Sequence, residues 1–436
     1  MSSSVEGKPE VVSISPLLKR LAYPATADIR VSADDIASAF ALIFDNRLSD
    51  IQTAALLTLL HSTGKDKQPD VIAKCSHRMR EAACAVEKSS LRKVIKQRGQ
   101  SEGNYNGGLC DIVGTGGDSH STFNVSTTSS IIASPFLMTA KHGNRAQTSF
   151  SGSADVLKAI APIAPDIDAV TAENLSQVYE KTNYAFLFAP NFHPGMMYAN
   201  PVRRGLGLRT IFNLMGPLAN PVEWAIEARV VGVAYQALGP VFAEALKQAG
   251  AKKAMVVCGE EDMDEISCAG YTNCWRLTAK PNPNYKPCEG EGEGEDGDSS
   301  EEEDEENPRQ LVEVDTFKLH PSDFGLPTHP LSAVYGRKMP KDNAEKLMSI
   351  LRNQLPREDP IVEFVLMNVA ALLVTSGICE VETTNMGPGD DGKVITERGP
   401  GGGRWKEGLR RARWAIESGK ALEHLENFIE VTNKLN

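Results

Sequence analysis

The chain has 436 residues, 41% apolar and 24% charged, an ordinary globular composition with length enough for more than one domain. Its net charge of −11 is concentrated in Glu289 to Glu306, where twelve acidic residues stand with no basic one, so the remainder is close to neutral at about +1. That balance argues against a nucleic-acid footprint or a basic membrane face, and eight scattered cysteines without a CxxC pair fit reduced thiols better than disulfides or a zinc site.

The opening MSSSVEGKPE has neither a basic n-region nor an apolar h-region, so no secretory signal is expected and a cytoplasmic location fits. The first ~95 residues read as helices. Ser32 is the expected N-cap of a helix over 33–45, with Ile36, Phe40, Ile43 and Phe44 at helical spacing. Ser49-Asp50-Ile51-Gln52 has the pattern of a capping box ahead of an apolar helix over 53–61, and a third helix is expected from Pro69 to about Val86. No polar cluster here suggests chemistry, so 1–96 reads as a small all-helical domain, followed by a polar, glycine-rich linker over 97–107.

From Leu109 short β-rich runs alternate with helices, which predicts a mostly parallel sheet covered by helices over 97–436. The expected strands begin at Leu109, Phe136, Tyr184, Val230 and Ala254; the expected helices cover about 153–160, 171–181 and 236–249. The first strand feeds Gly114-Thr115-Gly116-Gly117-Asp118, whose glycines permit φ > 0 and close approach of backbone to a ligand. Asn124 then stands at the expected N-terminus of a helix through Ala133, whose free N–H groups and positive dipole end suit phosphate. The pattern is neither a Walker A loop nor G-x-G-x-x-G. A second polar cluster, Lys141-His142-Gly143-Asn144-Arg145 with Ser149, Ser151 and Ser153 after it, follows the second strand, where α/β folds place ligand contacts.

The segment 194–213 reads as helical, 289–306 as a low-complexity, self-repelling loop between two strands, and 385–404 as a glycine-rich surface excursion. Residues 361–376 are too short for a bilayer and carry Glu363, so they read as a core helix; 406–435 reads as two helices broken near Gly419.

The stretches GTGGD, TFNVST, KHGNR with SGSADVL, NPVRRGLGLRTIFNLMGPLANP and Asp264-Glu265-Ile266-Ser267, in this order, closely resemble the anthranilate phosphoribosyltransferase family over nearly the whole chain outside the acidic run. The resemblance implies a nucleoside phosphorylase/phosphoribosyltransferase type of fold. A hinged helical domain over 1–96 would be joined by about 194–213, with the active site in the cleft between domains and a homodimer contact on the helices. It implies transfer of the phosphoribosyl group of phosphoribosyl pyrophosphate to the amine of anthranilate, with Mg2+, as a step of tryptophan biosynthesis. Gly114, Gly117, Asp118, Thr122, Asn124, Ser126, Thr127, Lys141, Ser149 and Ser153 are then expected at phosphoribosyl pyrophosphate, and Ser126, Asp264 and Glu265 at the metal. Gly114, Asn144, Arg203 and His142 are expected at anthranilate. Arg203 offers a bidentate fork to the carboxylate, with Arg204, about 100° away on a helix, as the alternative. By spacing alone Asp264-Glu265 also fits a solvated acidic loop, since Glu260-Glu261-Asp262 precede it.

Three positions depart from the family pattern: Ser119 and Asp262 where glycine is usual, and Phe150 where a basic residue is common. A pyrimidine nucleoside phosphorylase shares the fold and glycine loop, but its Ser-Gly-Arg element would stand where this chain has Lys141 to Arg145, and it would not need Asp264-Glu265. A non-catalytic nucleic-acid-binding relative predicts a basic surface and degraded motifs.

Overall fold

The computed structural model describes residues 9–23, 31–146, 151–285 and 309–435. Local signals in the N-terminal segment translate into helices. The Ser32 hydroxyl accepts the Asp35 N–H at 3.0 Å and the Asp35 carboxylate accepts the Ser32 N–H at 3.5 Å, a reciprocal capping box that starts the helix Ala33–Phe44. Ser49 caps the helix Asp50–Ser62 through the Gln52 N–H, but the Gln52 side chain accepts the Ile14 N–H at 2.7 Å instead of closing the box, tying down the helix Ser15–Ala22. The third expected helix, Pro69–Glu81, ends earlier than Val86, because the chain turns at Ala82 and the Cys84 N–H donates to Phe192 O.

These helices share one apolar core with the later helices Met196–Leu206 and Ile211–Met215. Phe40 and Phe212, both buried, meet with ring centroids 4.7 Å apart, each burial contributing about 1.5–3 kcal/mol. The helix Lys88–Arg98 sends Leu91 and Val94 into the core of the sheet rather than into this helical core. Residues 97–107, expected as a polar, glycine-rich linker, finish that helix and then carry Tyr105 into the core of the sheet.

The α/β body is a seven-stranded sheet of β1 (Leu109–Gly114), β2 (Met138–Gly143), β3 (Tyr184–Phe188), β4 (Ile226–Gly232), β5 (Lys253–Gly259), β6 (Thr272–Pro281) and β7 (Gln310–Leu319). Their spatial order is β3-β2-β1-β4-β5-β6-β7; the first five are mutually parallel and β6 and β7 add an antiparallel edge. β2 starts at Met138 and not Phe136, because Leu137 still donates its N–H to Ala133 in the last turn of the helix Val125–Ala133. The helix Pro360–Ser376 is buried from Val362 to Ser376, a core helix as expected. Among the described residues no helix is long and apolar enough to cross a membrane. The closing helices Trp405–Glu417 and Lys420–Thr432 part at Gly419, which has φ +75°. The acidic run 289–306 lies outside the described residues; the flanking ends, Pro281 of β6 and Gln310 of β7, pair with each other.

Candidate active site

β1 continues to β2 on one side while β4 flanks its other side, so the connections leaving the carboxyl ends of β1 and β4 diverge and open a crevice. Gly114 at the end of β1 stands in register with Gly232 at the end of β4. Asp264, reached from β5, fills the space that both glycines leave. A Cβ on Gly114 would lie 2.2 Å from Asp264 Oδ2, and one on Gly232 only 1.6 Å from the Asp264 carbonyl oxygen. The glycine turn wraps over this carboxylate: Gly116 and Gly117 have φ +60° and +79°, and the Gly116 N–H donates to Asp264 Oδ2 at 2.8 Å.

Asp118, Asp264 and Glu265 each bring a carboxylate oxygen to within 4.8 Å of the others. Thr122 donates its hydroxyl to both Glu265 oxygens, at 3.1 and 3.0 Å, while the buried Asp118 Oδ2 meets no donor among the described residues. Burial, reinforced by the neighbouring Asp264, pushes Asp118 up to about 7. Burial also raises Asp264, and burial with the charges of Asp264 and Asp118 raises Glu265 well above the usual carboxylate range. Three crowded, partly buried carboxylates with an unanswered oxygen fit a hard divalent cation such as Mg2+. The donor set expected from sequence is Ser126, Asp264 and Glu265; the structure adds Asp118, expected only at the substrate. Ser126 faces the same space from the first turn of the helix Val125–Ala133.

Two adjoining cavities, of about 430 and 230 Å³, share Gly114, Gly116, Gly117, Ser126, Gly152 and Ser153. The smaller holds Asp118, Thr122, Asn124 and the acidic pair; the larger holds Lys141, His142, Asn144, Arg145 and Arg203. The tips of β1 and β2 therefore converge on one space. Asn124 donates its side-chain amide to Ser151 O at 3.0 Å, bracing the serine segment. Thr127 does not line either cavity: one residue after Ser126 it is turned about 100° round the helix, is buried, and donates to Ser153 Oγ at 2.7 Å. Ser149 and Phe150 lie outside the described residues.

The Lys141 ammonium is buried and donates to His142 O at 3.0 Å; burial pulls its pKa down, opposed by the charge of Asp111. Burial, with His193 and Lys141 nearby, holds His142 well below the usual imidazole value, and burial brings His193 down to about 4. The two rings lie 5.2 Å apart and both are neutral at pH 7. Arg203 faces the larger cavity with its guanidinium 5.1 Å over the Phe212 ring, whereas Arg204 is exposed and lies outside that lining.

Two of the departures have simple consequences. Ser119 keeps a negative φ, so the turn accommodates a side chain there. Asp262 holds φ +57°, the left-handed geometry that makes glycine usual, and its carboxylate accepts the Gln236 N–H at 3.1 Å. Sequence reasoning does not reach His193, Asn200 and Arg209, all lining the larger cavity. The signal available is their place in or beside the motif running from Asn200 to Pro221.

Residues 16–83 match the model of the glycosyl transferase family helical bundle domain, and residues 106–286 and 304–422 match that of the glycosyl transferase family a/b domain. The chain is 34% identical over 405 residues to anthranilate phosphoribosyltransferase of Schizosaccharomyces pombe, covering 93% of this chain and 94% of the relative. It is 33% identical over 395 residues to the Saccharomyces cerevisiae enzyme, covering 88% and 87%. The solved structure of the S. cerevisiae enzyme in complex with PRPP and Mg superposes with a TM-score of 0.74 at 27% identity, over 97% of this chain and 99% of that one. The enzyme from Thermus thermophilus gives 0.69 at 28% identity, over 95% and 99%. Matched by both family models and by these relatives over most of its length, the chain belongs to the anthranilate phosphoribosyltransferase family.

Proposed function

We propose that this chain transfers the phosphoribosyl group of phosphoribosyl pyrophosphate to the amine of anthranilate, giving N-(5-phosphoribosyl)anthranilate and pyrophosphate in tryptophan biosynthesis. The observation that carries the reading is the convergence of a glycine turn, a helix N-terminus and three carboxylates at one end of the sheet, beside a cavity with Arg203 and two neutral imidazoles. The bond from C1 to the diphosphate oxygen breaks, a C1–N bond forms, and the amine releases one proton. An arylamine is already neutral at pH 7, so catalysis requires positioning and leaving-group electrostatics rather than a strong base. The sequence around Lys141 to Arg145 and the acidic pair disfavour the phosphorylase alternative.

The residue roles belong to the same proposal. Gly114, Gly117, Thr122, Asn124, Ser126, Lys141 and Ser153 receive phosphoribosyl pyrophosphate, with Thr127 acting through its hydrogen bond to Ser153. Ser149 keeps its role from the resemblance alone. Asp118, Asp264 and Glu265, with the Ser126 hydroxyl, would hold Mg2+. When bound, the ion supplies positive charge against both the carboxylates and the diphosphate. Arg203 and Asn144 orient the anthranilate carboxylate, Gly114 admits the ring, and neutral His142 borders it without competing for a proton. A homodimer through the helical body is part of the reading; exposed Ile51, on the helix Asp50–Ser62, is the kind of apolar group such a contact would cover. Sedimentation at micromolar concentration checks it.

The test is loss of anthranilate fluorescence in the purified chain. Loss that requires both phosphoribosyl pyrophosphate and Mg2+ supports the transferase. Phosphate-dependent cleavage of thymidine or uridine, with no change in anthranilate, would replace it with the phosphorylase.

A further inference from the structure

We infer that Arg209 is a positioning residue: from the helical body it clamps the glycine turn of the α/β body, and through that turn it sets where the Asp264 carboxylate stands. Arg209 sits in the short link between the helices Met196–Leu206 and Ile211–Met215. Both ends of the link are fixed. Gly207 stops the first helix at φ +62°, and Thr210 begins the second, its N–H donating to Asn213 Oδ1 at 3.0 Å. Val202, Ile211 and Phe212 on either side are buried in the helical core, so the Arg209 backbone moves with that body.

Its side chain crosses the cavity. Nη2 donates to Gly116 O at 2.8 Å, and Nη1 lies 0.9 Å from where a Cβ on Gly117 would be. Gly117 therefore lacks a side chain for two reasons, its φ of +79° and the room Arg209 takes. Gly116 is held on both faces, its carbonyl by Arg209 and its N–H by Asp264. Two adjacent left-handed glycines are conformationally costly to order, so removing one of two clamps loosens the turn. Among the other cations lining this cavity, Lys141 donates to His142 O, Arg145 lies over the Phe188 ring and Arg203 over the Phe212 ring.

This inference rests on the proposed function for its kinetic arm only. Arg209→Met keeps the stem and removes the donor; Arg209→Lys keeps a donor. In the ligand-free full-length chain, amide exchange of the peptide spanning 113–122 should quicken severalfold in Arg209→Met and less in Arg209→Lys. In turnover, Arg209→Met should raise the phosphoribosyl pyrophosphate KM and the Mg2+ half-saturation about tenfold, leaving the anthranilate KM and Tm near wild type. Gly117→Ala, which evicts the guanidinium and strains a φ of +79°, should shift the phosphoribosyl pyrophosphate KM and the Mg2+ half-saturation in the same direction with a lower Tm, and adding Arg209→Met to it should do less than in wild type. Unchanged exchange in Arg209→Met overturns the proposal, as does a Lys variant no better than Met, or a fall in Tm shared by both. A wild-type chain without turnover would instead remove the transferase reading, while the exchange result still judges the clamp.

Discussion

Gly232 offers the sharpest test of the crevice, because it lies at the tip of β4 and contacts no substrate in the scheme above. In Gly232→Ala the new Cβ would start 1.6 Å from the Asp264 carbonyl oxygen, where ordinary contact begins at 3.4 Å, so the Asp264 backbone must retreat by about 1.8 Å. Backbone cannot rotate away as a side-chain tip does. Overpacking of this kind costs about 1–3 kcal/mol of stability, and displacing a functional group by about 1 Å costs about 100-fold in rate. The expected outcome is a folded protein whose kcat/KM for phosphoribosyl pyrophosphate falls about 100-fold or more and whose Mg2+ requirement rises, with the anthranilate KM little changed. Initial rates from anthranilate fluorescence across a Mg2+ series, with thermal unfolding alongside, give the answer. Gly205→Ala is the control: its Cβ meets open space inside a helix, so activity should persist and stability should rise by about 0.5–1 kcal/mol. If Gly232→Ala retains wild-type rates and Mg2+ dependence, Asp264 is not confined as described.

Other consequences are more local. Asp118→Asn should raise the Mg2+ half-saturation, and an unmoved titration would exclude it from the donor set. Arg203→Ala should raise the anthranilate KM by about 10-fold or more while Arg204→Ala leaves it unchanged; equal effects would reassign the carboxylate contact. The Asp390 side chain is only 2% exposed. Burial would push it up, but hydrogen bonds from Met386 N–H, Thr384, Arg410 and Gly392 N–H prevail and hold it at about 2. Its folded pKa lies below the unfolded one. The carboxylate therefore contributes about 2 kcal/mol at neutral pH, lost as pH falls toward 2, so the stability gap between wild type and Asp390→Asn in urea should narrow by about half from pH 6 to 3. Deleting residues 289–306 should spare activity, because Pro281 and Gln310 lie at the opposite end of the sheet from Gly114 and Asp264.

The parallel strands and the glycine turn are legible in the sequence because their signals are local: apolar runs, three glycines in four residues, a polar helix start. Asp118 reads as a substrate contact because it abuts the glycines in sequence. Its neighbours Asp264 and Glu265 arrive from β5, and linear spacing carries no trace of that meeting. Arg209 escapes assignment for a similar reason, since its partner is a carbonyl of Gly116 in the other body. Thr127 promises more than it delivers: a run of hydroxyl residues looks alike in sequence, yet the helix turns Ser126 to the cavity and Thr127 into the protein. Sequence extends the third helix too far because Ala82 and Ala83 favour helix, and only the tertiary bond from Cys84 to Phe192 O ends it.

The helical body is assembled from two separated parts of the chain, residues 14–79 and 199–219. A fragment ending near residue 86 would expose Phe40 and lack Ala199, Val202, Ile211, Phe212 and Met215, so it should not fold in isolation. Mixed with the complementary fragment it has a ready-made apolar seat to dock on. A cut between 82 and 87, ahead of the helix Lys88–Arg98 that stays with the sheet, thus marks a natural place for a split enzyme whose activity reports reassembly.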